Sequence, residues 1–259
     1  MGATGRRPAV HCLTNPVTTQ DTANILLAAG GSAIMAQEPA EAAEITAICQ
    51  ATLLNTGVPD REKFEACILA GKRAMELGHP IVLDPVGAGA SNFRREELAK
   101  LLSQLQVSII RCNQEEARVL LGLRNITSGG VESSVVLPAA EQETLARNLA
   151  QAYRCVTLVS GNTDAISDGE HVVLLTEGDS RISRLTGGGC MLSALCALLC
   201  AEGLPAFDAA QTAGLLWRES AAEAGRRTDR EQGGMGTFHQ YLFDAAEKAF
   251  SSRVKNFAL

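Results

Sequence analysis

The sequence predicts an α/β fold, a mostly parallel central sheet with helices on both faces, in one domain covering residues 1–259. Two observations lead there. Short runs rich in Val, Ile, Leu and Thr alternate with longer stretches whose apolar residues recur at helical spacing, the pattern of strands joined by crossover helices. No linker, composition shift or internal repeat divides the 259 residues, a length that suits one large domain.

Residues 9–13 read as the first strand and end in the polar loop Thr14-Asn15-Pro16. Residues 21–29 are helical and close on Gly30-Gly31, and 32–35 form a second short strand. Residues 39–49 form a helix with Ile45, Ile48 and Cys49 on one face, and 52–55 a third strand. The helix over 60–77 carries Phe64, Cys67, Ile68 and Met75 at helical spacing, with Gly78 as its stop signal. The fourth strand, 81–84, ends on Asp84, and Leu98, Leu101, Leu102 and Leu105 mark the next helix face. Residues 107–110 are a fifth strand that gives way to Arg111-Cys112-Asn113. A short helix over 114–121 stops at Gly122, and a polar loop spans 124–134.

Residues 138–153 are helical. The sixth strand, 155–159, runs into Ser160-Gly161-Asn162, and 165–175, interrupted by Asp168-Gly169, reads as a hairpin. An apolar helix over 190–201 follows, then a long helix over 207–224 and a last one carrying Phe238, Leu242, Ala246 and Phe250. The tail from Ser251 is expected to fray.

Composition removes several function classes. A net charge of −6 has the wrong sign for a generic phosphate-backbone binder, and 4% aromatic residues leave little for base stacking. The eight cysteines, at 12, 49, 67, 112, 155, 190, 196 and 200, show neither C-x-x-C nor zinc spacing with histidine. Arg6 and Arg7 precede no signal-peptide core, and no run approaches the roughly 18 apolar residues of a membrane span. The expectation is a soluble cytoplasmic protein with no nucleic-acid or membrane partner.

The stretch richest in chemistry is Gly187-Gly188-Gly189-Cys190, which runs straight into the apolar helix. Glycines let a backbone turn tightly and approach a ligand, and the first N–H groups of a helix are unpartnered and carry its positive dipole end. Together they make an anion site with one thiol beside it. A buried helix whose glycines merely close a turn explains the same residues, and neither the P-loop nor the dinucleotide fingerprint is present.

In open α/β sheets ligands collect at the carboxyl ends of the strands. Asn15, Asp84, Arg111, Asn113, Glu116 and Ser160 all sit at or just after such an end, so one edge of the sheet can gather them. Each also has an ordinary structural reading. Asp84 could cap a turn, Glu116 could be solvated, Arg111 could pair with either carboxylate, His11 could be satisfied at a sheet edge, and Met35 could belong to the core.

The order of motifs resembles the hydroxyethylthiazole kinase family of the ribokinase-like fold. The residues that carry the resemblance are Val10-His11-Cys12-Leu13-Thr14-Asn15, Thr22-Ala23-Asn24, Gly31-Ser32 with Met35, and Leu54-Asn55-Thr56-Gly57. They continue with Leu83-Asp84-Pro85-Val86-Gly87-Ala88-Gly89-Ala90, Ile110-Arg111-Cys112-Asn113 with Glu116, Ser167-Asp168-Gly169, and Thr186 through Cys190. The resemblance implies transfer of the ATP γ-phosphate to the primary alcohol of 4-methyl-5-(2-hydroxyethyl)thiazole in thiamin salvage, with Mg²⁺. It implies that Met35 and Gly187, with Asn15 nearby, contact the thiazole. Arg111 and Ser160, with Asn113 beside them, would meet the ATP. Asp84 and Glu116 would organise the Mg²⁺, directly or through water. Cys190, at the end of the Gly187, Gly188, Gly189 loop, stands where other ribokinase-like kinases carry a proton-accepting aspartate. A homotrimer with sites between subunits is implied as well.

These residue types suit those roles: magnesium takes hard oxygen ligands and keeps several waters, arginine neutralises phosphate, and backbone N–H groups stabilise a moving anion. The sequence departs from the family's usual pattern at Gly188, commonly threonine, at Ser160-Gly161-Asn162, commonly Thr-Gly-Glu, at Cys112, commonly glycine and expected to narrow a turn beside Arg111, and in a shorter leading segment. The alternatives are another ribokinase-like small-alcohol kinase and a non-catalytic thiazole- or nucleotide-binding relative.

Overall fold

The computed structural model describes residues 7–123 and 137–256, with side chains described up to Ser252. The polar loop expected at 124–134 lies outside the described residues. Strand and helix alternate in chain order. The first half runs β1 (Ala9–Leu13), α1 (Thr19–Ala28), β2 (Ser32–Ile34), α2 (Pro39–Ile48), β3 (Ala51–Asn55), α3 (Arg61–Leu77), β4 (Ile81–Asp84), α4 (Asn92–Gln104), β5 (Ile109–Asn113) and α5 (Gln114–Leu120). The second half is α6 (Ala139–Tyr153), β6 (Val156–Ser160), β7 (Asp164–Ser167), β8 (Val172–Leu175), a 3₁₀ turn Ser180–Arg184, α7 (Gly188–Ala201), α8 (Ala206–Arg230) and α9 (Met235–Asn256).

The strands form one sheet in the order β2-β1-β3-β4-β5-β6-β7-β8. The first six run parallel, and β7 and β8 add as an antiparallel hairpin. The mostly parallel sheet expected from the sequence is therefore present. Its helices form two layers, because each strand residue hands its side chain to one face or the other. On one face α1, α7, α8 and α9 pack over Val10, Cys12, Leu53, Val82, Ile109 and Leu158. On the other, Leu13, Leu54, Leu83, Ile110 and Cys112 meet α3, α4, α5 and α6. α7 is the central element of the first layer, with every residue from Cys190 to Cys200 buried. A helix that is apolar all round belongs inside.

The topology sets where a ligand can enter. From β1 the chain turns through α1 to β2 on one side, and then crosses through α2 to β3 on the other side of β1. The loops that leave β1 and β3 thus diverge to opposite faces, α1 to the layer of α7 and α3 to the layer of α4. This is the switch point at which α/β sheets open a crevice.

Local signals explain most of the boundaries. Asp60 caps α3 by accepting from the Lys63 backbone N–H at 2.7 Å, and Gly78 ends it in the left-handed conformation at φ 66°. Ser91 caps α4 in the same way. Four expectations are corrected. In α2 it is Ala42 and Thr46 that are buried while Ile48 is 62% exposed, because Thr46 must reach His11. Met75 of α3 is likewise largely exposed. α8 is longer than its apolar pattern suggested, extending through Arg230, because its last turns still bury Ala224, Gly225 and Thr228. The expected frayed tail is helix as far as Asn256, since α9 continues without a breaker. Among the described residues, no helix is long and apolar enough to cross a membrane.

Candidate active site

Two neighbouring strands end in opposite charges. Asp84, the last residue of β4, is fully buried, and Arg111 of β5 places its Nη1 3.8 Å from Asp84 Oδ1. Burial raises the Asp84 carboxyl above its ordinary range, against the pull of Arg111, Ser193 and Asn55. Burial alone would lower the arginine, but Asp84 and Glu116 hold its guanidinium above its ordinary value, so it stays cationic. Asp84 Oδ2 accepts from Ser193 Oγ and from Asn55 Nδ2, both at 2.9 Å. Arg111 Nη2 donates to Ser160 Oγ at 2.6 Å, and that hydroxyl donates to the Cys112 carbonyl at 3.3 Å. Asp84 Oδ1 is buried without a hydrogen-bond partner.

The glycine turn closes over this pair. Gly187 caps α7 at φ 86°, in the left-handed region, and a Cβ there would lie 2.8 Å from Thr18 Cγ2. A Cβ on Gly189 would collide with the Arg111 guanidinium. The first turn of α7 therefore lies directly on the arginine, and the N–H groups of Gly189 and Cys190 have no acceptor within the helix. A helix terminus over a fixed guanidinium is a place for a polyanion.

Cys190 is buried beside the same carboxylate. Asn55 Nδ2 approaches its Sγ at 3.1 Å and Asn15 Nδ2 at 3.7 Å, while Asn15 Nδ2 also donates to Asn55 Oδ1 at 3.0 Å. Burial first, and the Asp84 charge second, push the thiol up to about 11, so it is protonated at neutral pH.

Glu116 begins the next shell. Its Oε1 accepts from the Gly87 backbone N–H and its Oε2 from that of Asn113, both at 2.8 Å, and Asn113 Oδ1 accepts in turn from the Glu116 N–H. This capping box starts α5 and fixes the carboxylate on the glycine-rich loop after β4. Burial first, then Asp84, raise its pKa to about 7 despite the two backbone donors. Two buried carboxylates near one arginine, one of them with an oxygen lacking a hydrogen bond, fit a hard divalent cation that keeps most of its water. Among the described residues, no three His, Cys, Asp or Glu side chains form a metal cluster.

The sheet edge thus gathers Asn15, Asp84, Arg111, Ser160, Glu116 and the Gly187–Cys190 turn. Asn113 lies with them, but its side-chain oxygen serves the cap. Met35 stands apart, just past the outer strand β2 and partly buried against the α7 layer. Cys112 does not narrow a turn, as the sequence suggested. Arg111, Cys112 and Asn113 are the last three residues of β5, and strand alternation sends Cys112 into the opposite layer. His11 is fully buried between Thr46 Oγ1 at 2.8 Å and the Ala36 carbonyl at 3.0 Å, with its pKa lowered by burial, which is a structural role.

Three residues of the network carried no assigned role in the sequence reading. Ser193 follows Cys190 by three positions, so both face Asp84; it is the only hydroxyl in an otherwise apolar helix, and that was its signal. Asn55 ends β3 as Asp84 ends β4, register partners in the parallel pair. Lys63 gave no signal, because its position on α3 alternates with ordinary surface charges.

The sequence pattern of the hydroxyethylthiazole kinase family matches residues 3–251. The chain belongs to this family. It is 38% identical over 256 residues to the hydroxyethylthiazole kinase of Clostridium beijerinckii, covering 96% of this chain and 91% of that one. A solved hydroxyethylthiazole kinase protein from Pyrococcus horikoshii OT3 superposes with a TM-score of 0.80 at 33% identity, over 93% of this chain and 88% of that one. A ribokinase-like superfamily protein from Enterococcus faecalis V583 shares the fold alone, with a TM-score of 0.67 and 11% identity over 94% and 87% of the two chains. The ribokinase-like architecture expected for a hydroxyethylthiazole kinase family member is therefore the one observed.

Glu116 makes a stability prediction for metal-free protein. Its folded pKa of about 7 lies above the ordinary 4.5, so the folded state holds the extra proton between those values. The stability this contributes is fully present below the unfolded pKa and is lost as pH rises through about 7. In the presence of a chelator, the melting temperature should fall between pH 5.5 and 8, and Glu116→Gln should flatten that slope while lowering the melting temperature overall.

Proposed function

We propose that this chain transfers the γ-phosphate of ATP to the primary alcohol of 4-methyl-5-(2-hydroxyethyl)thiazole, a reading in keeping with the name of its family. The observation that carries the reading is the Arg111–Asp84 pair lying beneath the N-terminus of α7, within a chain that matches the family from residue 3 to 251. Phosphoryl transfer asks for positioning and charge neutralisation rather than covalent chemistry. Arg111, oriented by Ser160, would neutralise phosphate oxygens, and the Gly189 and Cys190 N–H groups would receive the developing negative charge. Asn15, with Met35 and Gly187, would line the thiazole half of the site.

Asp84 and Glu116 would hold Mg²⁺, chiefly through water, consistent with the orphaned Asp84 Oδ1. When bound, the ion would supply further neutralisation of the phosphate chain. The proton of the alcohol leaves late in a loose transition state, so a strong base is not required. Cys190, protonated and hydrogen-bonded to Asn55, is a poor general base; its sulfur would pack beside the reacting oxygen while its backbone N–H donates. The resemblance also supports a cytoplasmic homotrimer with shared sites. Val17, 65% exposed, and Val58, 52% exposed, lie on the two loops beside Asn15 and Gly57 and are apolar surface that such an assembly would cover.

Incubation with Mg-ATP and a panel of alcohols tests the reading. The thiazole should yield a phosphomonoester visible by mass spectrometry, sugars should not, and chelation should abolish the product. Light scattering should give three times the mass of the chain. Robust sugar phosphorylation without thiazole turnover would sink the proposal.

The weight placed on the backbone is separately testable by single-turnover kinetics on folded variants. Cys190→Ala should keep activity within about tenfold of wild type, because a general base contributes at most ~10²–10⁴-fold and this thiol is a poor one. Gly189→Val should lose ~10²-fold or more, since its side chain displaces Arg111 and disturbs the anion hole. The reverse order would make the sulfur essential.

A further inference from the structure

Lys63 is a lysine where the fold has little use for one. It sits on the first turn of α3, is 5% exposed, and its Nζ donates to the Thr14 carbonyl at 2.8 Å and to the Gly57 carbonyl at 2.6 Å. Those carbonyls belong to the loop after β1 and the loop after β3, the two segments that diverge at the switch point. Thr14 precedes Asn15. Gly57 packs against the Asn15–Asn55 pair so closely that a Cβ there would lie 2.8 Å from Asn15 Nδ2 and 3.0 Å from Asn55 Oδ1. The Gly57 N–H also donates to Asn55 Oδ1 at 3.0 Å.

The backbone beside this contact is strained. Val58 has φ 45°, a left-handed conformation that a β-branched residue avoids unless its surroundings impose it. Lys63 holds the chain on either side of it. Its backbone N–H binds the Asp60 carboxylate at 2.7 Å, and its ammonium binds the carbonyl of the peptide that leads into Val58.

We propose that Lys63 is a positioning residue for the alcohol acceptor, its ammonium stitching the two diverging loops together so that Asn15 and Asn55 are held against Cys190. The inference rests on the reading above that the alcohol is taken up beside Asn15 and Cys190. It assigns no contact between Lys63 and substrate. An ammonium is suited to the task, since three donors radiate from one atom and a carbonyl on each side of the crevice can be reached at once. Bonds from a charged donor are roughly twice as strong as neutral ones, so the stitch is worth most while the nitrogen is protonated. Burial lowers the Lys63 pKa to about 8, within reach of experiment. The charged or titratable groups around it are Asp60 and Cys67 from its own segment, Cys190 from α7 and Arg94 from α4. Cys67 and Cys190 are pushed up to about 12 and about 11, so neither ionises before it.

Steady-state kinetics on wild type, Lys63→Met and Lys63→Arg, with the thiazole alcohol and Mg-ATP at pH 7 and pH 9, test the proposal. In Lys63→Met the KM for the alcohol should rise about tenfold or more, as expected for losing a charged hydrogen bond. The KM for ATP should stay within about twofold on the same argument, because the stitch lies in the acceptor half. Lys63→Arg, which keeps charge and donors, should fall between. The wild-type KM for the alcohol should rise from pH 7 to pH 9 as the ammonium deprotonates, and Lys63→Met should not show that rise. A folded Lys63→Met with an unchanged KM for the alcohol overturns the proposal even if it melts earlier, since that is a structural role only. If Lys63→Met does not fold, a flat wild-type profile together with a wild-type-like Lys63→Arg overturns it. A wild type that ignores the thiazole refutes the functional reading instead. Amide exchange then decides the stitch, which requires residues 14–18 and 56–60 both to lose protection in Lys63→Arg or Lys63→Met and fails if they keep it.

Discussion

A buried ion pair between adjacent strands is the constraint on which the rest of this site depends. Taking Asp84 and Arg111 out of water costs several kcal/mol per ion, on the order of what their attraction returns, unless the remaining donors and acceptors are met. Ser193 and Asn55 meet Asp84 Oδ2 and Ser160 meets Arg111 Nη2, while Asp84 Oδ1 and Arg111 Nε are left without a hydrogen bond. The pair therefore dictates residues on three other elements. It needs a hydroxyl on α7 one turn past its start, an amide at the end of β3 and a hydroxyl at the end of β6. It also needs a residue at 189 with no side chain, because the guanidinium occupies that volume. What reads in sequence as a glycine-rich anion loop is equally a clearance for an arginine.

Strand alternation explains how such a polar set coexists with two apolar layers. Along β5, Ile109 and Arg111 face the α7 layer while Ile110 and Cys112 face the other. Shifting the register by one residue would turn the guanidinium into the opposite apolar layer and leave Asp84 unpaired. The site and the core are thus specified by one pairing pattern. Parallel register brings Asn55 level with Asp84, and Asn113 level with Ser160, so the ends of four strands reach the same edge.

The fold and much of the site were legible in the sequence because both leave periodic or positional traces. Strand ends on polar residues put Asn15, Asp84, Arg111 and Ser160 on one edge, and the glycine run marked the start of α7. What stayed hidden was pairing. Nothing local says that Asn55 bridges Asp84 to Cys190, or that a lysine among the surface charges of α3 turns inward to two carbonyls. Ile48 misled because an apolar residue at helical spacing reads as core, whereas α2 buries small side chains and a threonine. Arg111 and Cys112 misled in the opposite direction. The strand was expected to end at Ile110 with a turn beside Arg111, although β5 carries 111–113 as strand because β6 pairs with them throughout.

Charge balance links the two halves of the site. By itself, the pocket holds two carboxylates against one arginine, and burial with their mutual repulsion keeps Glu116 near half-protonated at neutral pH. A hard cation arriving with a phosphate chain would reverse that, since it favours both carboxylates in their ionised form while Arg111 takes the phosphate. The acceptor half behaves differently. Cys190 and the asparagines around it carry no charge at neutral pH; Asp84 and Arg111 act on the thiol from one side, and the Lys63 ammonium is engaged by two loop carbonyls on the other. An alcohol entering there would meet amide dipoles and a thiol rather than a competing ion, while the charged nucleotide would be drawn to the arginine side. On the proposed reading, the separation of a neutral pocket from a charged one would let a single sheet edge sort an uncharged acceptor from a polyanionic donor.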